Sequence, residues 1–174
     1  MIPGMPIAVF IHTLLSLVGL VAGVVVLTGL FGSRRRDGWT AIFLLTLFAT
    51  SASGFILPAS RFLPSHGIGI LSLAVLLVAV VARYRFRLAG AARWLYAVAA
   101  VLTLYLDVFV AVAQAFAKIP ALKRLAPPGS QAPFAIAELA VMALFVVLAV
   151  LAARKFRPAI PDLKPTAAFS STSP

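Results

Sequence analysis

Long apolar runs broken by arginine, proline or glycine set the pattern of this chain. A helix rises about 1.5 Å per residue, so a run of about 20 apolar residues crosses a bilayer. Five such runs are present: Ile7 to Phe31, Trp39 to Leu57, His66 to Ala82, Arg93 to Ala117 and Phe134 to Ala153. The third is short. In the link PASRFLPS, Pro58 and Pro64 stop one helix and lead into the next, and a re-entrant pair is the alternative reading there. The pattern predicts an all-α helical transmembrane bundle of five spans in a single domain, residues 1–157. The remaining 158–174, rich in Pro, Ser and Ala, reads as a disordered cytoplasmic tail. The first run lacks a basic stretch before it and a small-residue cleavage site after it, so it reads as a retained helix.

Between Lys118 and Pro133 lies the longest connection, KIPALKRLAPPGSQAP. A plain loop ended by Pro127, Pro128 and Gly129 is the preferred reading; a short amphipathic turn over IPALKRL is the alternative.

Composition agrees with the runs. The chain has 174 residues, 63% of them hydrophobic, and only four acidic side chains. Mean hydropathy is +1.10. A soluble domain of this size has too much surface for its volume to hide so much apolar material. The formal charge is +11, which could suggest nucleic acid, but the basic residues punctuate the apolar runs and form no stripe, so no nucleic-acid partner is expected. The absence of cysteine excludes disulfides and thiolate chemistry.

Of the 15 Lys and Arg, one side of the predicted topology carries Arg34, Arg35, Arg36, Arg83, Arg85, Arg87, Arg93, Arg154, Lys155, Arg157 and Lys164. The other carries Arg61, Lys118, Lys123 and Arg124. The positive-inside rule puts the first group in the cytoplasm, with the N-terminus outside and the C-terminus inside. Trp39, Trp94 and Tyr84 fall at the same interface, where amphipathic rings are favoured. The clusters RRRD (Arg34 to Asp37) and RYRFR (Arg83 to Arg87) read as topology anchors, with membrane lipids and their anionic headgroups as the natural partner.

Alternating spans bring certain polar residues to one depth in the outer half: His12 on the first helix, His66 at the start of the third, Asp107 and Gln114 on the fourth, and Glu138 near the start of the fifth. Asp107 and Gln114 are seven residues apart, close to two turns, and share a face. Asp107 is the strongest pointer to function, because a carboxyl at that depth is costly and normally has a partner or a job. It reads as a hydrogen-bond node to Gln114, Thr103 or a neighbouring helix, as a proton or ion relay, or as a residue facing a ligand cavity. His12 and His66, the only histidines, could ligate haem, or a metal with Glu138 completing the set. Loose histidines without a denser motif are more often structural, so no cofactor is expected. Glu138 follows Pro133 at a helix start, where its charge is favoured.

Small residues line the expected interfaces: Ala8, His12, Ser16, Gly19 and Gly23 on the first helix; Thr46, Thr50, Ser53 and Gly54 on the second; Ala100, Thr103, Asp107, Ala111 and Gln114 on the fourth. A homodimer through the glycine-bearing face, or a partner in a membrane complex, is compatible with this pattern. No Walker loop, dinucleotide fingerprint, nucleophile elbow or zinc-protease pair occurs.

The stretch Tyr105 to Pro158, YLDVFVAVAQAFAKIPALKRLAPPGSQAPFAIAELAVMALFVVLAVLAARKFRP, and the opening HTLLSLVGLVAGVVVLTGL resemble small, uncharacterised polytopic inner-membrane proteins of Gram-negative bacteria. The resemblance implies an inner-membrane location and assigns no catalytic or ligand residue. The leading expectation is a non-enzymatic accessory or scaffold subunit. A small-solute, ion or proton transport component using Asp107 with Glu138 and His12 is the first alternative, and a haem-binding redox protein using His12 and His66 the second.

Overall fold

The computed structural model describes residues 7–56, 64–125 and 132–158, and within these it is all helix and turn. The helices are α1 (Ile7–Phe31), α2 (Asp37–Gly54), α3 (Pro64–Val80), α4 (Ala92–Lys118), α5 (Pro120–Leu125) and α6 (Ala132–Lys155), with a π-helical turn, Val81–Arg85, continuing α3. Residues 57–63, which hold most of the PASRFLPS link, and most of the C-terminal tail lie outside the described residues; Pro64 opens α3.

Among the described residues four segments are long and apolar enough to cross a membrane: Ile7–Phe31, His66–Arg85, Ala92–Lys118 and Ala132–Lys155. The second predicted span forms its helix, α2, but falls below that standard. Its 18 residues open on Asp37 and Gly38 and carry three threonines and two serines. The distribution of side chains is the reverse of a soluble protein's. Leu45, Ile136, Leu77 and Leu139 face outward, whereas Thr40, Arg83, Thr103, Asp107 and Glu138 are buried. An apolar exterior this continuous needs an apolar surrounding, consistent with a polytopic membrane protein.

Helices α1 to α4 form a ring closed by α1 packing on α4, and α6 lies outside it against α4. Close approach explains the small residues. A Cβ on Gly19 would lie 2.5 Å from Leu47 Cδ2, and one on Gly23 would lie 2.5 Å from Leu104 Cδ1 and 2.8 Å from Phe43 Cε2. These glycines let α1 seat against α2 and α4, where packing replaces the hydrophobic drive lost in lipid. Both are covered within the chain itself. Gly69 plays the same part for α3, where an added Cβ would lie 3.2 Å from the Phe55 ring.

The basic end of the bundle is tied together locally. Ser33 Oγ donates to the Lys155 carbonyl at 2.6 Å and accepts from the Arg157 N–H at 2.9 Å, joining the α1–α2 loop to the end of α6. Phe156 is fully buried and packs on Tyr96 at 5.7 Å between ring centroids.

The connection after α4 differs from the preferred reading. Pro120–Leu125 is a helix, not a plain loop. Pro120 occupies its first position, where proline's fixed φ and missing N–H suit a helix start.

Candidate functional site

A cavity of about 220 Å³ opens between α1, α2, α3 and α4 at the end of the bundle where α1 begins. Its lining on α4 runs from Thr103 to Gln114, three turns or about 16 Å. His12 and Ser16 come from α1, Thr50, Ser51 and Gly54 from α2, and His66 and Ser72 from α3; Leu47, Leu76, Leu106 and Val110 supply apolar wall. A liquid water occupies about 30 Å³, so a polar space of this size holds several.

Asp107 lies about three turns inside the end of α4, roughly 16 Å along the helix, and is 9% exposed. Ser16 donates its hydroxyl to Asp107 Oδ1 at 2.8 Å. Oδ2 is buried and has no hydrogen-bond partner. The expected bond from Thr103 does not form, because Thr103 donates to the Ala99 carbonyl one turn back at 2.8 Å. Ser16, identified in the sequence only as a small interfacial residue, is thus the carboxyl's partner. Thr50 Oγ1, also on the cavity wall, is a second buried oxygen without a partner.

His12 Nδ1 is 2.9 Å from Ser53 Oγ, and Ser53 in turn donates to the Thr50 carbonyl at 3.0 Å. His66 stacks obliquely on Phe55, with ring centroids 5.6 Å apart. Gln114 is exposed, on the outermost α4 turn of the lining. Among the described residues, no lysine or arginine lines the cavity. Asp107 is the only carboxyl on its wall among the described residues.

Glu138 is not among the lining residues. Helix α6 meets α4 through Tyr105 against Phe145 and Phe116 against Phe134, with centroids 5.7 and 5.6 Å apart. Asp107 is two residues from Tyr105, about 200° around α4. The α6 interface and the cavity therefore occupy nearly opposite faces. Glu138 is buried, 8% exposed, and neither carboxyl oxygen has a hydrogen-bond partner. Depth in the chain brought it level with the other polar residues; the azimuth of α6 separates it from them.

A second polar cluster stands at the basic end. Of the residues read as topology anchors, Arg34, Arg36, Arg85, Arg87, Trp39 and Trp94 are exposed and Arg35 is half-buried. Arg83 turns inward instead and is 3% exposed. It pairs with Asp37, donates to the Arg35 carbonyl at 3.2 Å, and lies 5.2 Å from the centre of the Tyr96 ring. The π turn makes this possible. Phe86 N–H reaches back five residues to the Val81 carbonyl, and the wider turn brings both Ala82 and Arg83 to the interior. No sequence pattern in RYRFR marks which arginine turns in.

Among the described residues, no three His, Cys, Asp or Glu side chains gather where they could hold a metal ion. Compared with protein-family profiles, with curated proteins and with solved structures, the chain finds no match.

Proposed function

We propose that this chain is a small-solute, ion or proton transport component of the bacterial inner membrane, and that Asp107 is the group to which the transported species binds. The observation that carries this reading is the buried Asp107 on the wall of a polar cavity that opens at one end of the bundle, with one carboxyl oxygen left without a hydrogen-bond partner. A carboxylate in a low-dielectric surrounding is stable only when a cation or a proton accompanies it. Among the described residues the lining offers no lysine or arginine to do so. In this reading the transported species supplies the accompanying positive charge.

In this reading the protein crosses the membrane five times, with α2 as the short span, its N-terminus outside and its C-terminus in the cytoplasm. The distribution of arginine supports that orientation, and anionic headgroups would meet the exposed Arg34, Arg36, Arg85 and Arg87. The cavity then faces the periplasm. An accessory subunit, the leading expectation from sequence, would need neither the cavity nor a carboxyl on its wall. A porphyrin is also a poor fit. About 220 Å³ is less than the roughly 300–1,000 Å³ of pockets for drug-sized ligands.

The test is flux in proteoliposomes. Wild-type protein should carry protons or small cations down an imposed gradient, and Asp107→Asn should abolish the flux while leaving folding intact. Ser16→Ala, which removes the donor to Oδ1, should alter the flux without abolishing it. Equal flux through wild type and Asp107→Asn would remove the basis of the proposal.

A further inference from the structure

We infer that the groove between α2 and α3 binds one anionic phospholipid, with an acyl chain in the groove and the phosphate at the corner where Arg35, Arg83 and Asp37 meet. This site lies at the basic end of the bundle, opposite the mouth of the Asp107 cavity, and does not depend on the transport reading.

The groove has a volume of about 400 Å³. Ala41, Leu44, Leu45 and Phe48 line it from α2, and Leu76 and Tyr84 from α3 and its π turn. Leu44 and Leu76 are buried and form its floor, whereas Leu45, Phe48 and Tyr84 are each more than half exposed and form its rims. From Ala41 to Phe48 it runs about 10 Å along the helix. Among the described residues, the Tyr84 hydroxyl is the only polar side-chain group on its wall. A trough of this kind, on an exterior that already needs an apolar surrounding, suits a hydrocarbon chain.

Its mouth sets the groove apart from the rest of that exterior. Asp37, Ala41, Leu44, Leu45 and Phe48 recur at helical spacing, so the groove face of α2 leads back one turn to Asp37. There two guanidiniums meet one carboxylate oxygen. Arg83 pairs with Asp37 Oδ1, and Arg35 Nε lies 3.7 Å from the same atom. The trio carries one uncompensated positive charge. Among the described residues, Asp37 is the only acidic side chain at that end. The Arg35 side chain is 32% exposed, so the excess charge reaches the surface, and the exposed Arg85 adjoins Tyr84. Guanidinium suits phosphate in geometry and charge. Surplus arginine one turn from an apolar groove is the complement of an amphiphile with an anionic head. Attraction of a polybasic segment to a negative leaflet fixes no position; the groove and its charged corner together fix one.

The purified full chain in a neutral detergent should be titrated with dimyristoyl phosphatidylglycerol, with dimyristoyl phosphatidylcholine and with inorganic phosphate. Thermal unfolding and native mass spectrometry follow the binding, since a ligand of the folded state alone raises Tm with its concentration. Phosphatidylglycerol should raise Tm and persist as one lipid per chain. Phosphatidylcholine has the same tails without the net charge and should need at least about fivefold higher concentration, the worth of one arginine beside an anionic headgroup. Inorganic phosphate, which has no tail, should give no shift.

Arg35→Gln with Arg85→Gln should raise the phosphatidylglycerol concentration required by at least about tenfold. Arg154→Gln with Lys155→Gln removes the same charge from the exposed end of α6 and should change nothing. Ala41→Phe fills the groove and should abolish the adduct; the two arginine comparisons stay readable if that variant folds poorly. Asp107→Asn should keep the lipid shift, so failure here leaves the transport reading standing. Equal losses from the two charge-removing pairs would show diffuse attraction without a site. Equal shifts from phosphatidylcholine would show a groove indifferent to charge, and equal shifts from inorganic phosphate an anion site without a tail. A dimer that Ala41→Phe disperses would show a second copy in the groove. Any of these four results overturns the inference.

Discussion

The buried Arg83 predicts an asymmetry between two single substitutions that remove the same ion pair. The Arg83 side chain is 2% exposed and its partner Asp37 is 71% exposed. Asp37→Ala strands a guanidinium in the interior, with the Arg35 carbonyl and the Tyr84 and Tyr96 rings left to it. Arg83 Nη1 already lacks a partner. Breaking a fully buried pair this way costs about 3–5 kcal/mol. Because Asp37 is well exposed, solvent screens part of the interaction, and a cost of about 2–3 kcal/mol is expected. Arg83→Met leaves behind only an exposed carboxylate, keeps an apolar stem of similar length, and removes the charge from the interior. Its cost should be about 0–1 kcal/mol. The double variant should then resemble Arg83→Met and be more stable than Asp37→Ala alone. Reversible unfolding in mixed micelles measures all three. If Arg83→Met is the more damaging single change, or if the double variant is the worst of the three, the guanidinium is not held in the interior at net cost and the reasoning fails.

Two more substitutions probe the packing. Gly23→Leu should destabilise the bundle by about 1–3 kcal/mol, since its Cβ already meets Leu104 and Phe43, whereas Gly67→Ala, with open space around it, should be neutral; unfolding midpoints compare them. Glu138→Leu should leave stability unchanged or raise it by about 1–3 kcal/mol, because it removes a buried carboxyl with no partner, and it should leave Asp107-dependent flux intact. Loss of that flux in Glu138→Leu would return Glu138 to the site.

Run length and hydropathy made α1, α3, α4 and α6 legible, because in lipid a helix must satisfy its own backbone and announces itself by apolar length. Helix α2 was legible as a helix, yet its threonines and serines dilute the run. Part of that polarity belongs to the cavity, where Thr50 and Ser51 line the wall. Depth alone brought His12, His66, Asp107 and Gln114 to one region, and all four line the same hollow. Depth cannot specify rotation, so Glu138 was grouped with residues from which α4 separates it. Ser16 was visible as a member of a stripe but not as a donor, since a small residue facing a neighbour and a hydroxyl facing a carboxyl look alike in sequence. Arg83 was hidden by the π turn, which shifts the helical phase by an amount no periodicity in the sequence encodes. The helix α5 was obscured because six residues are too few for a periodicity to stand out beside Pro127, Pro128 and Gly129.

Reach from solvent to Asp107 is the claim on which the site depends, and the natural absence of cysteine makes it directly measurable. Ser72→Cys places one thiol on the cavity wall, and Ala91→Cys places another at the exposed basic end. A charged, membrane-impermeant thiol reagent added to intact cells stripped of their outer membrane should modify Ser72→Cys and spare Ala91→Cys. Reaction at position 91 with none at position 72, although both react in permeabilised cells, would mean that the hollow faces the other compartment. Failure of position 72 to react from either side, with position 91 reactive, would mean that no water reaches the carboxyl.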